Sequence, residues 1–125
     1  MRILLDTPIY LWWLDDSPNL SHLARARIVT ASKVCVSSAS IWEATIKAGI
    51  GKLTVDVDEL VRQIANSGFE ELPISVRHAA KVGQLPDIHR DPFDRILIAQ
   101  ALCEPLRLLT ADSILLGYSE LVETV

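Results

Sequence analysis

Apolar positions in this chain follow two rhythms. Arg2–Asp6, Val34–Ser37 and Leu106–Thr110 are short, nearly unbroken apolar runs, the pattern of strands covered on both faces. Glu70–Ile74 is a weaker strand, and Val122–Val125 reads as a last edge strand. The stretches between them carry helical spacing and helix punctuation. Thr7 as N-cap with Pro8 at the first helical position predicts a helix after strand one. A second helix spans Leu20–Ala31. Ser40-Ile41-Trp42-Glu43 fits a capping box that opens a helix ending at Gly49. Leu60, Val61 and Ile64 mark a helix over Val57–Ser67, closed by Gly68. A helix over Val76–Gly83 leads into the loop Leu85–Arg90. Asp91 as N-cap and Pro92 behind it start the strongest helix, with Ile96, Leu97 and Ala101 on its apolar face. A short helix follows Asp112. Strands alternating with helices imply an α/β fold, a mostly parallel sheet of four to five strands with helices on both faces. No repeat, linker or low-complexity tract divides residues 1–125, so a single domain is expected.

Composition narrows the class. Half of the 125 residues are apolar and 22% are charged, which excludes a disordered chain. A chain of this length buries enough apolar surface to fold without a disulfide or metal staple. The net charge of −4 excludes the basic footprint of a duplex-DNA binder. Cys35 and Cys103 lie far apart in apolar company, as two small buried hydrophobes in a reducing compartment. No secretory signal and no membrane-spanning run is visible, so a cytoplasmic protein is expected.

The acids fall at informative places. Asp6 ends strand one, Glu43 lies in the first turn of the helix after strand two, and Asp112 lies two residues past strand four. These belong at the carboxyl edge of a parallel sheet, where open α/β folds bind ligands. Asp94 sits in the first turn of the helix that leads into strand four. Each acid also has a helix-capping reading. Glu43 pairs with Ser40 in the capping box, Asp94 follows Asp91, and Asp112 caps the last helix. Asp6 is the hardest to explain that way, because Thr7 already serves as a cap. Converging carboxylates repel one another unless a divalent cation sits among them. An all-oxygen donor set suits Mg²⁺ or Mn²⁺ and supports phosphoryl chemistry.

These residues, in this order, resemble the PIN-domain ribonucleases, most closely the toxins of VapC type. The matching stretches are Leu4-Leu5-Asp6-Thr7 with Leu11-Trp12-Trp13, Val36-Ser37-Ser38 through Ile41-Trp42-Glu43, and Ile46-Lys47 with Gly51-Lys52-Leu53. His89-Arg90-Asp91-Pro92-Phe93-Asp94-Arg95 with Ala99-Gln100-Ala101, and Leu109-Thr110-Ala111-Asp112, complete the set. The resemblance covers essentially the whole chain, and the H-x-D-P-F-D-R block is its most specific piece. It implies a three-layer α/β/α sandwich and Mg²⁺- or Mn²⁺-dependent endonucleolytic cleavage of RNA. By position, the four acids of the family fall on Asp6, Glu43, Asp94 and Asp112. Asp6 and Asp94 would contact the metal directly. Glu43 and Asp112 would complete the pocket through water or a second ion. The resemblance further implies a homodimer inhibited by a small antitoxin protein. Relatives with this block often carry His where Pro8 stands here, which bears on the first helical turn and on substrate placement. Asp91 is either a fifth acid of the site or only the cap.

Lys47, Arg95, Lys52 and the pair Arg25 and Arg27 are the candidates for RNA contact, set against ordinary solvated charges or an Asp91–Arg95 pair. Trp12-Trp13 reads as core plus partner surface rather than as a base-stacking platform. His22, His78 and His89 are scattered, form no metal-binding pattern and read as loop or surface residues. Gly49-Ile50-Gly51-Lys52 fails as a phosphate-binding loop, since Ile46 and Leu53 occupy required Gly and Ser/Thr positions. No dinucleotide fingerprint or nucleophile elbow is present. Two alternatives stand beside the nuclease: a receiver-type Mg²⁺-binding signalling domain, and a non-catalytic PIN-like module that binds RNA or protein. With the four site acids set aside, the twelve remaining acids equal the twelve bases. The negative excess can thus sit at one sheet edge rather than over the whole surface.

Overall fold

A computed structural model describes residues 1–125. Strand β1 (Arg2–Leu5) runs through the middle of a five-stranded sheet, between β2 (Lys33–Ser37) and β4 (Arg107–Thr110). The edges are β3 (Glu70–Leu72) beside β2 and β5 (Val122–Thr124) beside β4. The order is β3-β2-β1-β4-β5, and every pairing is parallel. Receiver-type sheets follow the flavodoxin-like order 2-1-3-4-5, which this sheet does not have. The helices are α1 (Thr7–Leu14), α2 (His22–Thr30), α3 (Ser38–Gly49), α4 (Val57–Asn66), α5 (Val76–Val82) and α6 (Pro92–Cys103). A 3₁₀ helix covers Ser113–Tyr118.

Successive strand residues point to opposite faces, so the apolar runs feed two cores. On one face Ile3, Leu5 and Leu109 join Ile9 and Tyr10 of α1, Ala24 and Ile28 of α2, and Ile64 of α4. On the other, Leu4, Cys35 and Leu108 join Leu97, Ile98 and Ala101 of α6 and Leu115 of the 3₁₀ helix. The result is the three-layer α/β/α sandwich. A Leu→Ala change in either layer would cost roughly 2–5 kcal/mol.

The helix starts differ from the sequence reading. Asp6, not Thr7, caps α1, and its carboxylate accepts from the Ile9 amide at 3.0 Å. Ser37, not Ser40, caps α3, its hydroxyl accepting from the Ala39 amide at 3.0 Å. Glu43 therefore lies beyond the first turn and closes no capping box. The two displaced hydroxyls bond to each other, Thr7 Oγ1 donating to Ser40 Oγ at 2.9 Å, which ties α1 to α3. Strand β3 stops at Leu72, because Pro73 has no amide hydrogen for the ladder. Gly68 closes α4 at φ +78°, a left-handed conformation that Gly adopts without strain. No helix is long and apolar enough to cross a membrane.

Candidate active site

Chain order reverses around β1, which continues to β2 on one side and meets β4 on the other. The crevice outside the carboxyl ends of these strands is where open α/β sheets place ligands. Asp6 extends β1 into that edge, its amide still held by the Leu109 carbonyl at 3.1 Å. Its side chain is only 3% exposed. Burial pushes the Asp6 carboxyl up to about 7, and the charges of Asp94 and Glu43 push the same way. Hydrogen bonds from the Thr110 hydroxyl and the Ile9 amide oppose that rise. Thr110 Oγ1 also accepts from the Asp112 amide at 3.0 Å, so one side chain at the end of β4 touches both neighbouring acids.

Asp94 enters from the first turn of α6, which Asp91 caps by accepting from the Phe93 and Asp94 amides at 2.8 and 3.2 Å. Burial raises the Asp94 carboxyl to about 6; the Asp91 charge adds to this, and a hydrogen bond from His89 opposes it. Glu43, 8% exposed, projects from α3, and Lys47 one turn later reaches its carboxylate at 3.1 Å. The charge of Glu43 raises both Asp6 and Asp94, while the donor atoms that stand within 4.8 Å of one another are those of His89, Asp94 and Asp112. Asp112 is exposed and caps the 3₁₀ helix through one oxygen, accepting from the Ile114 amide at 3.1 Å. Capping does not remove either acid from this edge: Asp6 and Asp112 cap their helices and still stand just past the ends of β1 and β4.

The donor set fits a hard divalent cation. Oxygen ligands dominate it, and uncompensated carboxylates at this depth resist ionisation, a penalty that a bound cation removes. His89 is the residue the sequence pattern missed. Its Nε2 lies 3.0 Å from Asp94 Oδ2, and donor atoms of His89, Asp94 and Asp112 all lie within 4.8 Å of one another. The one sequence signal was its place five residues before Asp94 in the H-x-D-P-F-D-R block.

The remaining candidates sort clearly. Arg95 turns away from the acids and donates to the carbonyls of Val82, Pro86 and His89 and to the Tyr118 hydroxyl, at 3.0 to 3.3 Å. It forms neither the Asp91 pair nor a free basic surface. Arg25 pairs with Asp16 and Arg27 with Glu123, each at 2.7 Å. Trp13 packs on Phe69 with ring centroids 5.7 Å apart, and both tryptophans of the pair lean on the core. His78 is no surface residue: it is 2% exposed, accepts from the Ser75 amide at 3.0 Å and meets Glu104 at 2.6 Å.

The fold is shared with solved toxin–antitoxin structures. VapBC2 from Rickettsia felis, bound to a DNA fragment from its promoter, superposes with a TM-score of 0.72 at 16% identity, covering 100% of this chain and 99% of that one. DNA-bound VapBC from Salmonella typhimurium gives 0.69 at 16% identity, covering 100% and 97%. A toxin–antitoxin complex from Klebsiella pneumoniae gives 0.68 at 20% identity, covering 98% and 96%. No curated protein matches the chain. The model of the PIN domain matches residues 3–120, a span that takes in four of the five strands and all four acids at the sheet edge. The chain belongs to the PIN-domain family.

Proposed function

We propose that this protein is a Mg²⁺- or Mn²⁺-dependent endoribonuclease and the toxin of a type II toxin–antitoxin pair. The observation that carries this is that buried Asp6 and Glu43, together with Asp94 and Asp112, fall at the carboxyl edge of the sheet, with donor atoms of Asp94, Asp112 and His89 within 4.8 Å of one another. Asp6 and Asp94 would hold the cation, with Glu43 and Asp112 completing the pocket. When bound, such an ion polarises a phosphate oxygen and makes a water more acidic. With Asp6 and Asp94 holding the cation, water would attack in line with the scissile bond, one P–O bond forming as the opposite one breaks and the leaving oxygen taking a proton from solvent. A carboxylate within reach of the attacking water accepts its proton. Lys47 holds Glu43 in place on α3.

The similar solved structures are toxins with their antitoxins, which supports an antitoxin partner here. A groove of about 430 Å³ between α3 and α4, lined by Ile41, Trp42, Val61, Ala65 and Phe69, is suited to an apolar segment of such a partner. A homodimer and a cytoplasmic setting, where RNA is the substrate, belong to the same proposal.

The experiment is digestion of a labelled RNA by the purified chain with Mg²⁺ or Mn²⁺, repeated with chelator and with Asp6→Asn and Asp94→Asn. Cleavage that needs the cation and disappears in both variants supports the nuclease. RNA binding without cleavage by the parent chain would instead favour a non-catalytic module, and undiminished cleavage by the variants would overturn the site.

A further inference from the structure

His89 is placed with more care than an exposed loop residue requires. Its amide donates to the Tyr118 phenol oxygen at 2.8 Å, and the same hydroxyl donates back to the His89 carbonyl at 2.9 Å. Arg95 braces both partners, at 3.3 Å to that carbonyl and 3.2 Å to the phenol oxygen. The ring is therefore held against Asp94 before any ligand arrives, and its ordering entropy is already lost.

The geometry points to His89 as a nitrogen donor to the divalent cation, at a position bounded by His89, Asp94 and Asp112, giving the site a preference for Mn²⁺ over Mg²⁺. This rests on the proposal that the acidic edge holds a divalent cation. In an octahedral shell with bonds of about 2.1 Å, adjacent donors stand about 3.0 Å apart and opposite ones about 4.2 Å. His89 Nε2 and Asp94 Oδ2 stand 3.0 Å apart in a hydrogen bond, a spacing that adjacent donors also take once Nε2 gives up that proton to Nδ1 or to solvent on binding the ion. Donor atoms of all three groups lie within 4.8 Å of one another, and Asp112 is exposed. Asp112 spends only Oδ1 on its cap and keeps Oδ2 for a ligand. Asp94 also acts by its charge on Asp6 and feels that of Glu43, so it is shared between the acids and the nitrogen-bearing group. Imidazole suits Mn²⁺ and later transition ions, whereas Mg²⁺ favours oxygen donors.

The test needs no RNA. Mn²⁺ is titrated into the metal-free full-length protein, and pulsed electron paramagnetic resonance reads coupling of the bound ion to ¹⁴N. The expected result is directly bonded nitrogen in the parent chain and in His22→Ala, absent in His89→Ala and His89→Phe. Mn²⁺ affinity should fall about tenfold in those two variants, with Mg²⁺ affinity little changed. The spectrum of the parent chain is decisive even if a variant folds poorly. Bound Mn²⁺ without nitrogen coupling, coupling that survives in His89→Ala, or no Mn²⁺ binding would overturn the assignment. Asp6-dependent RNA cleavage without nitrogen coupling would leave the nuclease standing and remove His89. Nitrogen coupling without cleavage would do the reverse.

Discussion

Arg95 donates to the Tyr118 hydroxyl at 3.2 Å, with its guanidinium 6.0 Å from the ring centroid, and the pair clasps the loop that carries His89. Four acceptors share this one side chain, three of them backbone carbonyls that each take a second donor, the Leu85 amide, the Ile88 amide and the Tyr118 hydroxyl. Arg95→Ala should therefore destabilise the protein by about 2–3 kcal/mol, because partly buried acceptors lose a charged donor. Arg95→Lys should recover less than half of that, since one ammonium cannot span the fork that a guanidinium covers. Urea unfolding midpoints of the three proteins measure this. An Arg95→Ala variant as stable as the parent would show that the clasp contributes nothing.

Lys47 sits 3.1 Å from Glu43, at the rim of the acidic edge, with nearly half of its side chain exposed. That position lets it hold Glu43 and still meet a phosphate. In an Asp6→Asn background, where the proposed cleavage should be lost and RNA binding kept, Lys47→Glu should weaken binding. It should also flatten the dependence of log affinity on log salt by about 0.7, the share of one phosphate contact on a single strand. An unchanged slope would confine Lys47 to its pairing with Glu43.

The architecture was legible because continuous apolar strands and capped helices are local patterns, and the order of the acids follows from their place at strand and helix ends. What was not legible depended on choosing between neighbours. Asp6 or Thr7, Ser37 or Ser40: each pair offers two good caps within three residues, and the choice turns on where the preceding strand stops. Arg95 follows Asp94 directly, yet adjacent helical residues face different directions, so one enters the site and the other clasps the loop. His89 could not be recognised from its surroundings in the chain. Its partner Tyr118 lies 29 residues away, and only the return of the chain through β4 brings them together.

Val61 lines the groove between α3 and α4 and is 52% exposed, so a charge there costs the fold little. Trp42, 58% exposed, closes the same groove and leans edge-on against Phe93 at 5.1 Å. A partner helix that fills this groove would bury both. Val61→Asp should leave the melting temperature and metal-dependent RNA cleavage close to the parent values. Co-expressed with the proposed small antitoxin, it should fail to retain that partner where the parent chain retains it, because an unpaired carboxylate would be trapped in an apolar contact. Retention of that partner at parent stoichiometry would place the antitoxin elsewhere.

Asp6 sets the pH dependence of the metal-free protein. Its folded carboxyl titrates at about 7 against an ordinary value of 3.8, a difference worth on the order of 4 kcal/mol. For an acid raised in this way the folded state holds its proton longer than the unfolded chain does. Its full contribution to stability is present below about pH 4 and is lost as pH rises through about 7. Asp94, raised to about 6, acts in the same direction. Without divalent cations the melting temperature should therefore fall between about pH 4 and about pH 7, and Asp6→Asn, neutral throughout, should flatten that fall. A cation binds the ionised form, so Mg²⁺ at a hundred times its dissociation constant should restore about 2.7 kcal/mol at the alkaline end and much less at the acidic end. Differential scanning calorimetry across this range, with and without Mg²⁺, carries the comparison. A parent chain whose stability is flat in pH, or an Asp6→Asn variant that Mg²⁺ stabilises as strongly as the parent, would remove Asp6 from the cation site.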